Sequence, residues 1–129
     1  MSDDTKATIL IIENDEDTRR IYADVLSYTG ACLLEAGNPY EAFEYLRTHS
    51  ISLIVTDLCM PGGGLQYLAT LREREPGCPI VTITGLGGGD TMRQATLIAG
   101  ATAFLEKPIR AKQLRDIVNG FLFSRPIAV

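Results

Sequence analysis

The sequence predicts an α/β domain built on a doubly wound, five-stranded parallel sheet. Short apolar runs recur five times, and each is followed by a segment with helical spacing. Strand then helix, repeated, gives parallel strands joined by right-handed crossovers, with helices on both faces. Several of the runs are continuously apolar rather than alternating, as strands buried on both faces are. The 129 residues, 46% hydrophobic and 22% charged, suit one soluble globular domain with a real core.

"TILII" (8–12) is the first strand. In "DEDTRRIYADVLSYTG", Ile21, Val25 and Leu26 recur at helical spacing, and Gly30 is placed to end the helix. Asp15, Glu16 and Asp17 at its start are charges that the helix dipole favours. "ACLLEA" is the second strand. "NPYEAFEYLRTHS" offers Asn38 as N-cap, Pro39 at the first helical position and Glu41 three residues after the cap. Phe43 and Leu46 give that helix its apolar stripe, and His49 falls at its end as a surface residue.

"ISLIVT" is the third strand. The third helix, "LQYLATLRERE", has its faces divided by Leu65, Leu68, Leu71 and Arg72, and Pro76, Gly77 and Pro79 break it. "IVTIT" (80–84) is the fourth strand. "DTMRQATLIAG" reads as a helix capped by Asp90 and closed by Gly100. "TAFLE" is the fifth strand and "RAKQLRDIVNGFLF" the fifth helix. The expected organisation is an N-terminal tail (1–6), one domain (7–122) and a loose C-terminal tail (123–129) containing "SRPIAV".

The formal net charge of −4 argues against a nucleic-acid-binding face. No apolar run is long enough to span a bilayer, and "MSDDTKAT" lacks the apolar core of a secretory signal. Cys32, Cys59 and Cys78 are scattered without metal spacing, which suits a reducing cytoplasm. One histidine excludes a His-rich metal site. The expectation is a cytoplasmic protein with no direct nucleic-acid or membrane partner.

In an open parallel sheet the ligand site lies beyond the carboxyl ends of the strands. Glu13 and Asn14 stand at the first such end, Asp57 at the third, Thr84 and Gly85 at the fourth, Lys107 and Pro108 at the fifth. Carboxylates brought together repel unless a cation joins them, and oxygen ligands with room for water suit Mg²⁺. Lys107 and Thr84 could bind phosphoryl oxygens, and Asp57 could be a nucleophile, because carboxylates form acyl phosphates. Each residue also has a plain reading. Asp57 could cap a helix, Thr84 could be an ordinary β-branched strand residue, Lys107 a surface lysine and Phe104 a core aromatic. "GLGGGDT" (85–91) sits between strand and helix as a phosphate loop would. A P-loop needs Lys-Ser/Thr after its last glycine, and a dinucleotide fingerprint needs glycine where Asp90 stands. These glycines read as a mobile connection.

Four segments, "ILIIEND", "LIVTDLCMP", "VTITG" and "FLEKPI", resemble the receiver domain of two-component response regulators (CheY-like) in order and spacing, over residues 7 to 122. The resemblance implies a flavodoxin-like (βα)₅ fold with strand order 2-1-3-4-5. It implies that Asp57 is the phosphoacceptor. Glu13 and Asn14 match the pair that holds Mg²⁺, together with Asp57 and the backbone carbonyl of Cys59. Thr84 matches the hydroxyl that turns toward the phosphoryl group. Lys107 would pair with a phosphoryl oxygen, with Pro108 shaping the turn behind it, and Phe104 matches the aromatic switch residue.

The implied function is a phosphorylation-operated switch, catalysing phosphotransfer only to its own Asp and its slow loss. The implied partners are a sensor histidine kinase or phosphotransfer protein, and an effector protein or output domain at the surface of the fourth helix, fifth strand and fifth helix.

Two departures bear on this. Asn14 stands where the family usually has Asp, so Mg²⁺ is expected to bind weakly. "MPGGGL" makes the loop after Asp57 one residue short. They motivate an alternative, a phosphorylation-independent protein-binding module. A phosphatase with an Asp57 nucleophile is disfavoured, because Cys59 stands where a second Asp would serve as acid and base. In the resembling family the side chains at the positions of Cys59 and Leu86 flank the path of hydrolytic water. Neither holds water well, so a long-lived phosphoryl group is expected.

Overall fold

All five apolar runs form strands in the computed structural model, which describes residues 6–85 and 87–123. In chain order the elements are β1 (Thr8–Ile12), α1 (Glu16–Leu26), β2 (Cys32–Ala36), α2 (Pro39–Thr48), β3 (Leu53–Asp57), α3 (Leu65–Arg74), β4 (Ile80–Thr84), α4 (Gly89–Ala99), β5 (Ala103–Glu106) and α5 (Ala111–Leu122). The strands form one parallel sheet in the order β2-β1-β3-β4-β5.

Burial explains the order. Every residue of β3 and β4 is buried, while the edge strands β2 and β5 are largely half-exposed. Successive strand side chains point to opposite faces. Leu10 and Ile12 therefore join Ile54, Ile80, Leu68 and Leu71 in one core, under α2 and α3. Ile9 and Ile11 join Leu53, Val55, Val81 and Ile83 in the other, against Tyr22, Leu26, Leu114 and Val118 of α1 and α5. A one-residue slip of β1 would exchange the two sets, so the pairing of Ile9 with Leu53 is strongly specified.

Local signals set the helix ends. Asp15 caps α1, accepting the Thr18 N–H at 2.9 Å. Asn38 caps α2, accepting the Glu41 N–H at 2.9 Å. The Glu41 carboxylate reaches back to the Gly37 N–H rather than to the cap itself, at 2.6 Å. Gly30, at φ 73°, closes a 3₁₀ turn (Ser27–Thr29) that extends α1. At the amino edge of the sheet, Arg72 reaches the carbonyls of Gly100 (2.9 Å), Glu75 (2.9 Å) and Cys78 (2.7 Å), and the Thr102 hydroxyl (3.0 Å). One guanidinium thus ties the ends of α3 and α4 to the starts of β4 and β5.

The structure corrects three local expectations. Ile21 is 58% exposed, and the face of α1 turned to the core is Tyr22, Ala23 and Leu26. One residue turns a helix by about 100°, and a short stripe leaves that phase open. Asp90 is not the cap of α4. Gly88, at φ 87°, takes that position, and Asp90 sits in the first turn, where the dipole still favours it. Leu65 opens α3 exposed, and Tyr67 fills the core place instead. Leu86 and most of both expected tails lie outside the described residues.

Candidate functional site

The carboxyl edge of the sheet gathers the polar groups the core cannot hold. Glu13 follows β1 and is 2% exposed; Asp57 is the last residue of β3 and is 1% exposed. Thr84 ends β4 and is fully buried. Lys107 follows β5, and its N–H extends the β4–β5 pairing by donating to the Thr84 carbonyl at 2.8 Å. Its peptide bond to Pro108 is cis.

Lys107 brings the two acids to one cation. Its Nζ lies 2.5 Å from Asp57 Oδ2 and 3.6 Å from Glu13 Oε1. The Cys59 N–H donates to Asp57 Oδ1 at 2.6 Å, so both oxygens of Asp57 are engaged. The loop that follows β3 therefore folds back onto the acid that ends it. Gly63 makes that return possible, because a Cβ there would meet the Leu58 carbonyl at 2.7 Å. Glu13 is oriented separately. Its Oε2 accepts the Asp15 N–H at 3.0 Å, and Arg19 Nη1 donates to its carbonyl at 2.8 Å.

Burial holds the Glu13 carboxyl above its usual range, and Asp57 beside it pushes the same way against the Asp15 N–H and Lys107. Burial alone would lower the Lys107 ammonium; the hydrogen bond to Asp57 and the charges of Asp57 and Glu13 outweigh it and raise it. Two buried carboxyl groups and one ammonium thus share the pocket. Hard oxygens in such a place fit Mg²⁺, which takes one or two carboxylates and keeps its waters. Among the described residues no three His, Cys, Asp or Glu side chains are grouped to hold a metal ion.

Glu13, Asp57, Cys59, Thr84 and Lys107 are brought together. Asn14 is adjacent but exposed, in the turn before α1. Phe104 stands half-buried on β5, paired in register with Thr82 rather than with Thr84. Two features escaped the sequence. Arg19 grips the Glu13 carbonyl while also bonding Glu35 Oε1 at 3.3 Å. The Cys59 thiol lies 3.3 Å from the Thr84 hydroxyl and accepts the Gly85 N–H at 3.3 Å.

The fold and this pocket define a class: an α/β module with a lysine-clamped acid at the carboxyl edge of a doubly wound sheet. The chain matches the family model described as the response regulator receiver domain over residues 9–119, and it belongs to that family. It is 36% identical over 110 residues to the response regulator protein PilR of Pseudomonas aeruginosa, covering 84% of this chain and 24% of PilR. With chemotaxis protein CheY of Halobacterium salinarum it shares 25% identity, covering 88% of this chain and 95% of that one. The receiver domain of NtrX from Brucella abortus superposes with a TM-score of 0.80 at 28% identity, over 91% of this chain and 99% of that one. A two-component response regulator from Clostridium difficile superposes with a TM-score of 0.84 at 25% identity, over 92% and 98%. The chain spans about a quarter of the length of PilR and of FleR from the same organism, at 24% of each. It is a receiver domain of the two-component response-regulator type. Receiver domains generally bind Mg²⁺ at an acidic pocket of this kind.

Proposed function

We propose that Asp57 accepts a phosphoryl group from the phosphohistidine of a sensor histidine kinase or phosphotransfer protein. The observation that carries this reading is the 2.5 Å contact of Lys107 with an acid buried at a strand end. A carboxylate oxygen of Asp57 attacks phosphorus, the P–N bond of the donor breaks, and the imidazole leaves with the electron pair. Lys107 exchanges its bond to the carboxylate for one to a phosphoryl oxygen, and the Thr84 hydroxyl turns to another. Mg²⁺, when bound, would offset the charge of the transferred group. Glu13, Asp57 and the Cys59 carbonyl would hold it, with Asn14 as a neutral fourth ligand that leaves it weakly bound.

The phosphoryl group adds about −1.5 to −2 charges. Thr84 and Phe104 act as the switch residues, reshaping the face of α4, β5 and α5 for an effector or output domain. Residues 7–122 are the receiver unit, and its place is the cytoplasm. Among the described residues no helix is long and apolar enough to cross a membrane.

Incubation with acetyl phosphate and Mg²⁺ should add the mass of one phosphate to the protein and none to Asp57→Asn. Equal incorporation by both would remove Asp57 as the acceptor. No incorporation by either would favour the phosphorylation-independent module, for which Asn14 and the short loop speak.

A further inference from the structure

The Cys59 residue touches both halves of the proposed switch. Its N–H donates to Asp57 Oδ1 at 2.6 Å. Its thiol lies 3.3 Å from Thr84 Oγ1 and accepts the Gly85 N–H at 3.3 Å. The side chain thus bridges the loop after β3 to the junction where β4 passes into the glycine-rich connection before α4. Beyond it, Gly87, Gly88 and Gly89 all have positive φ (74°, 87° and 53°), the last opening α4.

The geometry points to Cys59 as a positioning residue that latches Thr84 and Gly85 in the unphosphorylated arrangement and so sets how readily the site accepts a phosphoryl group. The inference rests on the reading of Asp57 as phosphoacceptor and Thr84 as the hydroxyl that moves to it. For Thr84 to turn toward a phosphoryl oxygen, its contact with the thiol must break. The Gly85 amide is carried by the same motion. Each contact made only in the resting state opposes the switch by its own free energy, because a ligand shifts an equilibrium only by its differential affinity for the two states. The thiol is a weak partner in both contacts. The latch is therefore one that an incoming phosphoryl group can displace.

The test is the affinity for beryllofluoride, a non-covalent phosphoryl mimic, measured calorimetrically with Mg²⁺ in excess. Cys59→Ala removes the sulfur and should bind it about threefold to tenfold tighter than wild type, the range expected for one net hydrogen bond. Cys59→Ser restores a partner for Thr84 and Gly85 and should return the affinity toward wild type. A residue that merely fills space would show no such rescue, with serine, smaller than cysteine, behaving as alanine does. Exchange of the Gly85 amide with solvent should speed up in the alanine variant before ligand is added. Binding by wild type with equal affinity in Cys59→Ala would overturn the latch alone. Failure of both to bind would overturn the phosphoacceptor reading, and the latch with it.

Discussion

Lys107 holds Asp57 by an ion pair of 2.5 Å while standing 3.6 Å from Glu13. The two acids are almost wholly buried, and the lysine keeps a third of its side chain in solvent. The ammonium therefore serves the metal-free protein as well as the proposed chemistry. Removing one partner of such a group leaves uncompensated buried charge. Lys107→Ala should cost about 1–3 kcal/mol without metal, below the fully buried limit of about 3–5 kcal/mol because the lysine is partly solvated. Mg²⁺ should restore part of the loss. Urea unfolding with and without Mg²⁺ measures both; a variant as stable as wild type in chelator would show that the ion pair is not needed.

With Asn14 as the proposed neutral ligand, Mg²⁺ should bind weakly. A unit negative charge and a dication 4 Å apart attract by about 2 kcal/mol in water. Asn14→Asp should then tighten Mg²⁺ by roughly tenfold or more. The same substitution should destabilise the metal-free protein, since it adds a third acid beside Glu13 and Asp57. A metal titration in which affinity does not change would place Asn14 off the metal.

Tyr67 lies beneath the acid. Its hydroxyl is 3.0 Å from Thr56 Oγ1, which donates to the Asp57 carbonyl at 3.1 Å. Tyr67→Phe should cost about 0.5–1.5 kcal/mol at neutral pH. Burial raises the phenol of Tyr67 well above its ordinary value of 10.0, against the Thr56 hydrogen bond, which lowers it. A folded value above the unfolded one means that this contribution is complete below about pH 10 and is lost as pH climbs toward the folded value. Tyr22 behaves alike, pushed up by burial to about 12. Between pH 9 and 11, Tyr67→Phe should therefore lose less stability than wild type. Parallel melting curves at the two pH values check this, and an equal loss would contradict it.

Arg72 is predicted to be the residue of the amino edge that tolerates change least. Its loss removes a charged donor from the carbonyls of Gly100, Glu75 and Cys78, of which that of Glu75 keeps the Cys78 N–H at 3.3 Å. Arg72→Ala should cost about 2 kcal/mol or more, given about 1.5–3 kcal/mol for bonds to a charged donor. Arg72→Lys should recover little, because an ammonium cannot reproduce the planar fork. Chemical unfolding of the two variants decides it; full rescue by lysine would mean that charge alone matters.

The continuous apolar runs made the sheet legible, because strands buried on both faces have no polar side to interrupt them. Asn38 and Gly30 marked helix ends because their local chemistry works without tertiary help. The phase of α1 was not legible. Ile21 and Tyr22 are neighbours of similar apolarity, and only packing against α5 and the sheet decides between them. Asp57, Thr84 and Lys107 could be placed together because the topology brings strand ends to one edge. The thiol contact of Cys59 with Thr84 spans 25 positions and two loops. Backbone course alone sets that contact, and no spacing rule encodes it. The exposure of Asn14 belongs to the same kind of turn-level detail.

Asp57, and no other carboxylate, is proposed to carry the phosphoryl group. The direct measurement is to phosphorylate the protein with acetyl phosphate and Mg²⁺, reduce the acyl phosphate with borohydride, and map the peptides by mass spectrometry. Reduction converts the phosphorylated aspartate to homoserine. Homoserine is expected at position 57 alone, in a yield that falls sharply in Lys107→Ala. Homoserine at any other aspartate, with residue 57 unmodified, would contradict it.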